Sequence, residues 1–457
     1  MPLKRHRLAQ RRRTVGHSQE SLAEKLGVDR TTVVRWERAE SSPQPWIRPG
    51  LADALAVSPE QLADLLDDVR DGATRKGQGT HLVEVPQCPA GSFVECRDRA
   101  AKVSISAQTW DADRTEELAA FLTADDQLAP DSALRLSQEW RTVPPPQLAQ
   151  LDRGRRVGGL MAQLIRDRTE ALRRMDDHLG GGDLYDLVYR ELRATLDLVR
   201  EATYTEKTGR HLLAALGELC QLTGWVASDA GLTEHAERFY LGGAAAAHAA
   251  GDEPLAANLL SSLAYQVANI GDPREAVVLA STAYQGARSQ GTARVRAMLL
   301  DRLAWANARL GDSRETARAL EAVEDAAIDE PSAEDPQWVY WLDRAEAEVM
   351  AGRCQVELQK PKKAIQLLGG VVPGYDDDHG REKALYLSWL AEAHLQDGDP
   401  EQAASVALLA LKLSTGVASA RGNARMKHLD NLLAPHRANL VVRTFNEKIT
   451  TLCTEAS

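Results

Sequence analysis

A repeat with a period of 40 residues constrains the fold of this chain more than any other feature of its sequence. Gly231, Gly271 and Gly311 are spaced by 40 residues. The segments around them align without gaps: LTGWVASDAGLTEHAERFY, SLAYQVANIGDPREAVVLA and RLAWANARLGDSRETARAL. Each glycine lies between two helical patterns, at a turn that favours a left-handed backbone angle. Self-similarity of this length predicts a solenoid of stacked helical hairpins.

Helical patterns cover most of the chain, and we predict an all-α fold. The clear repeats occupy about residues 210–420, with a looser unit around Trp341–Leu368 and a further one that turns at Gly398. We predict a separate N-terminal head at 1–70 and a helical repeat domain at 151–457. Between them, 71–150 contains a polar, Gly-rich linker (DGATRKGQGT) and a connecting region whose pattern predicts little.

The charge of the chain is distributed unevenly. Residues 1–50 contain eleven Lys and Arg against five Asp and Glu, in a chain whose net charge is −11. A basic head on an acidic body favours phosphate binding at one end only. No apolar run approaches the ~18 residues that a membrane span needs, so a cytoplasmic protein is expected. The five cysteines are scattered and odd in number, which favours reduced thiols.

The segment Gly16–Ala39, GHSQESLAEKLGVDRTTVVRWERA, predicts a helix, a short turn and a second helix. Ser18 is the expected cap of the first helix, and Gly27 is expected to end it. Within a head of five helices, nine apolar residues are expected to form the core: Leu8, Val15, Leu22, Leu26, Val33, Trp36, Leu51, Leu55 and Leu62.

Residues 5–65 resemble the helix-turn-helix of the phage-repressor (Xre) family in residue types and spacing. The resemblance implies that the second helix of the motif enters a major groove of double-stranded operator DNA. Val33 and Trp36 face the core, so the opposite side carries the expected base contacts: Arg30, Thr31, Val34 and Arg35. A solvated basic face is the alternative for these arginines.

The same resemblance implies further roles around the motif. In the family, the residue that corresponds to Gln19 holds a phosphate, and Arg38 and Arg48 are further candidates for phosphate contacts. Arg12 and Glu37 match a semi-buried ion pair that joins two helices in the family. Because one head buries little DNA surface, we expect a homodimer on a two-fold symmetric site.

The repeats resemble tetratricopeptide repeats, and the whole layout is similar to actinomycete regulators that join a helix-turn-helix to such repeats. The segment RRMDDHLGGGDL also resembles that group. Firmicute peptide-sensing regulators share the layout, but their repeats do not match these closely, so peptide sensing is an analogy only. In the repeats, Trp225, Tyr265 and Trp305 occupy one aligned position. With nearby polar residues they either line an effector groove or pack adjacent repeats, and the candidate groove residues are Trp225, Tyr265, Trp305, Asn269, Asp301 and Arg309.

These observations predict a sequence-specific transcription regulator, a repressor, whose body dimerises or senses a small molecule, a peptide or a protein. The alternative is an interaction scaffold that the head tethers to DNA. The sequence contains no catalytic constellation and no metal-ligand spacing, and it implies no cofactor. We therefore expect that the chain is not an enzyme.

Overall fold

The chain divides into two compact units, Met1–Ala90 and Gly91–Ser457. The computed structural model describes residues 17–37 and 47–55 of the first unit and 103–149, 154–326, 332–375, 379–414 and 419–455 of the second. It also describes single positions, which are residues 5, 8, 11, 12, 15, 43, 57, 62, 66 and 328. Arg38 and the expected linker lie outside the described residues.

The first unit contains the predicted helix, turn and helix. They are α1 (Gln19–Leu26) and α2 (Arg30–Glu37), followed by α3 (Arg48–Leu55). Ser18 caps α1, since its hydroxyl accepts the Ser21 amide proton at 2.9 Å and its own amide donates to the Ser21 hydroxyl at 2.8 Å. Gly27 ends α1 with a φ of 65°, which lets the chain turn directly into α2.

The core of the first unit is the one expected from the sequence. Seven of the nine predicted residues are buried, while Val15 and Leu26 pack against them from partly exposed positions. Two arginines before α1 donate hydrogen bonds inside the unit. Arg5 donates to the Trp36 carbonyl at 3.0 Å, and Arg11 donates to the Leu55 carbonyl at 2.8 Å. Arg11 is thus committed to holding the unit together.

The second unit is built almost entirely of helices. They are α4 (Ala112–Thr123), α5 (Ser132–Thr142), α6 (Gly159–Asp176), α7 (Gly181–Glu201), α8 (Glu206–Asp229), α9 (Thr233–Ala250), α10 (Glu253–Ile270), α11 (Pro273–Ala287), α12 (Ala293–Leu310), α13 (Ser313–Glu324), α14 (Arg344–Glu357), α15 (Pro361–Val371), α16 (Gly380–Gln396), α17 (Pro400–Ser414), α18 (Ala420–Leu433) and α19 (Leu440–Glu455). Two strands of two residues, β1 (Arg155–Arg156) and β2 (Ala202–Thr203), pair in parallel. The expected all-α class is confirmed.

Consecutive helices from α8 to α17 pack as five hairpins, and the first helices of neighbouring hairpins contact one another. This arrangement places α8, α10, α12, α14, α16 and finally α18 in one continuous row. A residue that recurs at one position of the repeat therefore lies beside its counterparts in space. The row is the scaffold of the cavity described below.

The repeating glycines adopt two different backbone conformations. Gly231 and Gly311 have φ values of 84° and 81°, in the left-handed region expected from the sequence. Gly271 differs, with a φ of −116°, so its turn does not need a left-handed residue. Its hairpin is closed instead by Asp272, whose side chain accepts a hydrogen bond from the Arg274 amide at 2.9 Å.

Two helices lie in a stretch where the sequence pattern predicted no helix. The helix α4 packs against α7 and α9, while α5 packs against α9 and α11. Arg238, on α9, donates to the Phe121 carbonyl at 3.0 Å and so joins α4 to the hairpins. Both helices belong to the second unit. Among the described helices, none is both long and apolar enough to cross a membrane.

Candidate functional site

The solvent-facing side of α2 carries the residues expected to contact bases. Val33 and Trp36 are buried at 1% and 3% exposure and fix the orientation of the helix. Because residues three apart share a helix face, the opposite face is turned outward. Arg30, Thr31 and Arg35 are exposed there, and Val34 is half-buried. Two guanidinium groups and a hydroxyl are thereby presented on one short helix, as a base-contacting surface requires.

Arg30 forms an ion pair with Glu20 of α1, with 3.0 Å between Nε and Oε1. Both side chains are well exposed, at 60% and 68%. An ion pair at this exposure contributes only about 0–1 kcal/mol. Arg30 can therefore leave Glu20 for a phosphate or a guanine at small cost, and the pair is no obstacle to DNA binding.

Glu37 joins three parts of the first unit. One carboxylate oxygen accepts from Arg12 Nε at 2.6 Å, and the other accepts from Gln19 Nε2 at 2.7 Å. Arg12 also donates to the His17 carbonyl at 2.7 Å. The ion pair of Arg12 and Glu37 that the resemblance implied is present and nearly buried, with side-chain exposures of 8% and 10%.

Gln19 was expected to hold a phosphate, but its side-chain nitrogen binds Glu37. The backbone remains available as an alternative, because the Gln19 and Glu20 amides precede the first intrahelical hydrogen bond of α1. Arg48 is exposed at the start of α3, and its Nε donates to the Pro43 carbonyl at 3.0 Å. The two terminal nitrogens of the Arg48 guanidinium can still reach a phosphate while Nε keeps this hydrogen bond.

The second unit contains a row of aromatic rings along its first helices. Trp225 and Tyr265 stack with 5.9 Å between ring centroids and 25° between planes. Tyr265 lies 6.3 Å from Trp305, and Trp305 lies 5.5 Å from Trp389 in an edge-on contact. The 40-residue spacing therefore places three rings of α8, α10 and α12 in one row, and Trp389 of α16 extends the row. These rings therefore pack adjacent repeats against one another, and the same row can also line a groove.

A cavity of about 790 Å³ opens beside this row. Among the candidate groove residues, Trp225, Tyr265 and Asp301 are on its wall. Trp305 has no exposed surface and lies behind Tyr265. Asn269 and Arg309 serve the helix contacts: Asn269 donates to the Tyr265 carbonyl at 2.7 Å, and Arg309 donates to Glu357 at 2.7 Å.

Four arginines lie over the aromatic row. Arg302 lies 4.3 Å from the Tyr265 ring centroid, and Arg353 lies 4.5 Å from that of Trp305. Arg421 covers Trp225 at 5.1 Å, and Arg425 covers Trp389 at 3.7 Å. Guanidinium groups on aromatic faces at these distances are attracted by the ring quadrupole. Three of these arginines, Arg302, Arg353 and Arg421, are on the cavity wall, which thus presents guanidinium groups beside aromatic rings.

Two ionisable groups on the wall are perturbed by this environment. Burial opposes ionisation of the Tyr265 phenol, but Arg353, Arg421 and Arg302 outweigh it and lower the pKa to about 8. Burial raises the pKa of the Asp301 carboxyl to about 7, against the pull of Arg302 and Arg353. The depressed phenol pKa reports an excess of positive charge at this point of the cavity.

The segment RRMDDHLGGGDL closes one side of the cavity. Asp177 accepts from the Tyr340 hydroxyl at 2.5 Å, and Arg174 stacks on the Tyr340 ring at 3.5 Å. Asp176 lies 3.4 Å from Arg381 of α16. The Gly181 amide donates at 3.0 Å to Asp229, which also lies 3.4 Å from Arg381. The segment therefore connects the start of the repeats to their far end.

The sequence analysis missed Trp389 and the arginines of the wall. Trp389 lies one helical turn before the position that aligns with Trp225, so a strict alignment overlooks it. Arg302 and Arg353 look like solvated residues of ordinary helices in the sequence. Only the stacking of α12 and α14 reveals that both are buried.

One protein-family model matches the chain. It is described as a helix-turn-helix domain, and it covers residues 5–65. This match, together with the outward face of α2, indicates a DNA-binding domain of the kind that acts in regulation. No match was found among curated proteins.

Proposed function

We propose that the chain is a sequence-specific DNA-binding transcription regulator, a repressor, which acts as a homodimer and whose helical body responds to an effector. The observation that carries the proposal is the exposed face of α2 within a helix-turn-helix domain. Val33 and Trp36 hold this face outward, and the ion pair of its Arg30 with Glu20 is exposed and weak. The cavity of the second unit supports the effector part.

Arg35→Ala in the full chain tests the reading of bases. Arg35 has the exposure and position to place its fork on guanine, a contact that contributes about 1–3 kcal/mol of discrimination. We expect weaker binding to the preferred DNA and a relaxed preference at one base position, measured by fluorescence anisotropy at fixed salt.

Two further variants separate contacts to bases from contacts to phosphates. Arg48→Ala is expected to weaken binding evenly across sequences and to reduce the salt slope by about one. Arg318→Ala removes an exposed arginine of the second unit and is expected to change neither. If Arg35→Ala keeps the affinity and the base preference of the unaltered chain, the proposed docking of α2 fails.

Dimerisation is proposed on geometric grounds. A single head covers too little DNA for tight specific binding, and two heads on one face of the duplex need half-sites about 34–36 Å apart. Sedimentation of the full chain with a DNA that carries one half-site or two half-sites distinguishes a monomer from a dimer on the DNA. A complex that contains a single chain on the two-site DNA contradicts the proposed dimer.

An effector can regulate only if it binds two states of the protein with different affinity. The test is the operator affinity of the full chain with and without a molecule that occupies the cavity. If a molecule bound in the cavity stabilises the second unit but leaves the operator affinity unchanged, the proposed effector role is contradicted.

A further inference from the structure

The cavity contains two buried arginines without a carboxylate partner. Arg302 and Arg353 are 8% and 6% exposed. Among the described residues, no carboxylate oxygen lies within ion-pair distance of either guanidinium. Arg353 donates to the Tyr265 hydroxyl at 2.8 Å, while its Nε is buried with no hydrogen-bond partner. A buried cation costs several kcal/mol unless it is compensated, so this arrangement invites an anion.

Three acidic groups of the cavity wall are engaged elsewhere. Glu346 accepts hydrogen bonds from Tyr375 at 2.6 Å and from Tyr386 at 2.7 Å. Asp177 accepts from Tyr340, and Asp176 lies beside Arg381. None of these three carboxylates forms an ion pair with Arg302 or Arg353, and both arginines are on the cavity wall.

Asp301 is an acidic group whose charge interacts with both arginines. It compensates them incompletely, because burial raises the pKa of its carboxyl and favours the neutral form. It is 1% exposed, and one of its carboxylate oxygens has no hydrogen-bond partner. Such an orphaned acceptor, or its protonated form, can bind a polar group of a ligand beside the anion. The site thus offers two cationic forks and one short polar contact.

The walls and the size of the cavity limit the ligand further. Trp225 and Trp341 flank Arg302, with 5.7 Å and 5.1 Å from the guanidinium carbon to the ring centroids. Rings at these positions favour a flat partner over a hydrated inorganic ion. The volume of about 790 Å³ lies in the range of about 300–1,000 Å³ that is typical of sites for small molecules.

We propose that this cavity binds a small planar organic anion, whose acidic group is held by Arg302 and Arg353 and whose ring lies against Trp225 and Trp341. The claim that this ligand is an effector rests on the function proposed above. The claim that the cavity binds it does not depend on the first unit, so the two claims can fail separately.

The test uses the full chain and two probes of similar shape. One is 8-anilinonaphthalene-1-sulfonate, an anion with a flat naphthalene ring, and the other is N-phenyl-1-naphthylamine, its neutral counterpart. Quenching of tryptophan fluorescence reports binding of either probe. We expect the anion to bind on the order of tenfold tighter or more, a difference of about 1.4 kcal/mol. Equal affinity for the two probes overturns the proposal.

Arg302→Gln and Arg353→Gln locate the site. Each variant is expected to lose most of the preference for the anion while still binding the neutral probe, which also shows that it is folded. Arg318→Gln removes an exposed arginine outside the cavity and is the matched control for the loss of one charge. If both cavity variants keep the preference, the anion binds elsewhere and the proposal is wrong.

Further arms separate the ligand class and the regulatory role. Inorganic phosphate, compared with a salt control of equal ionic strength, should not displace the aromatic anion. Displacement would mean that the site binds any anion, which contradicts the proposed planar organic ligand. Operator affinity is then measured with the sulfonate bound. A change supports the effector role, whereas tight, selective binding without a change leaves the site intact and overturns only that role.

Discussion

At the scale of single residues, Glu37 is a carboxylate that connects several parts of the first unit. It binds Arg12 and Gln19 through separate oxygens, and so it fixes α2 against α1 and the chain before it. The exposed pair of Arg30 and Glu20 has a similar distance but a different role, because water competes for both partners. Burial, and not the presence of an ion pair, decides which contact holds the unit together.

We predict that Glu37→Ala loosens the first unit strongly. Removing one partner of a buried pair leaves Arg12 uncompensated, a loss of about 3–5 kcal/mol. Hydrogen exchange of backbone amides in the full chain should show reduced protection across α1 and α2. Glu20→Ala is the matched control, with a loss below about 1 kcal/mol. Equal loss of protection in the two variants contradicts this account of the unit.

We also predict that the affinity for the aromatic anion falls as pH rises from 6 to 9. Asp301, whose burial raises its pKa to about 7, becomes charged first, and Tyr265, with a pKa of about 8, follows. Each ionisation adds a negative charge beside Arg302, Arg353 and Arg421, the cations that face Tyr265. The sulfonate of the probe stays ionised throughout, so the protein alone accounts for the change.

Asp301→Asn isolates the first of these steps. In this variant the fall in affinity should begin only near pH 8, where Tyr265 ionises. Asp325→Asn, at an exposed carboxyl of the second unit, should leave the profile of the unaltered chain in place. An affinity that is constant with pH, or that rises, contradicts the placement of the anion beside these two groups.

At the scale of elements, the docking of α5 on α11 depends on one close approach. A side-chain carbon at Gly286 would lie 1.9 Å from the Trp140 ring, well inside contact distance. Gly286→Ala therefore forces the two helices apart, and we expect a loss of roughly 1–3 kcal/mol or more. Thermal unfolding of the full chain, followed by circular dichroism, measures the change.

Gly369→Ala is the control for that substitution. Gly369 is helical and exposed, and nothing lies within 4 Å of the added carbon. Here alanine should stabilise by up to about 1 kcal/mol through its higher helix propensity. A Gly286→Ala chain that unfolds at the same temperature as the unaltered one would show that α5 does not rest on this contact.

Elements with a strong local signal could be predicted from the sequence, and others could not. The helix-turn-helix follows from the apolar spacing, from Ser18 and from Gly27, all of which act over a few residues. The hairpins follow from the 40-residue repeat. The helices α4 and α5 lie outside that repeat, and their burial depends on partners such as Gly286 that are far away in the chain.

The candidate cavity was predictable only in part for the same reason. Trp225 and Tyr265 occupy one aligned position of the repeat, and Asp301 lies four residues before that position in the next repeat, so the sequence indicated them. The hydrogen bond of Arg353 to Tyr265 joins residues 88 positions apart. No local pattern predicts such a contact, because it arises from the stacking of three hairpins. Trp305, Asn269 and Arg309 share the repeat register but pack within the wall.

The whole molecule separates its two proposed tasks by charge. Residues 1–50 are basic, whereas the complete chain has a net charge of −11. Long-range repulsion between DNA and the acidic part should confine DNA contact to the first unit. The cavity of the second unit brings several arginines together inside this acidic part of the chain, and Arg302 and Arg353 are buried on its wall.

The central claim is that this chain recognises a DNA sequence through α2. The most direct measurement is selection from a random double-stranded library by the purified full chain, beside a chain that carries Arg30→Ala and Arg35→Ala together. We predict that the full chain enriches one two-fold symmetric sequence and that the double variant enriches none. Enrichment of the same sequence by both chains, or of no sequence by the full chain with and without an aromatic anion, would contradict the account.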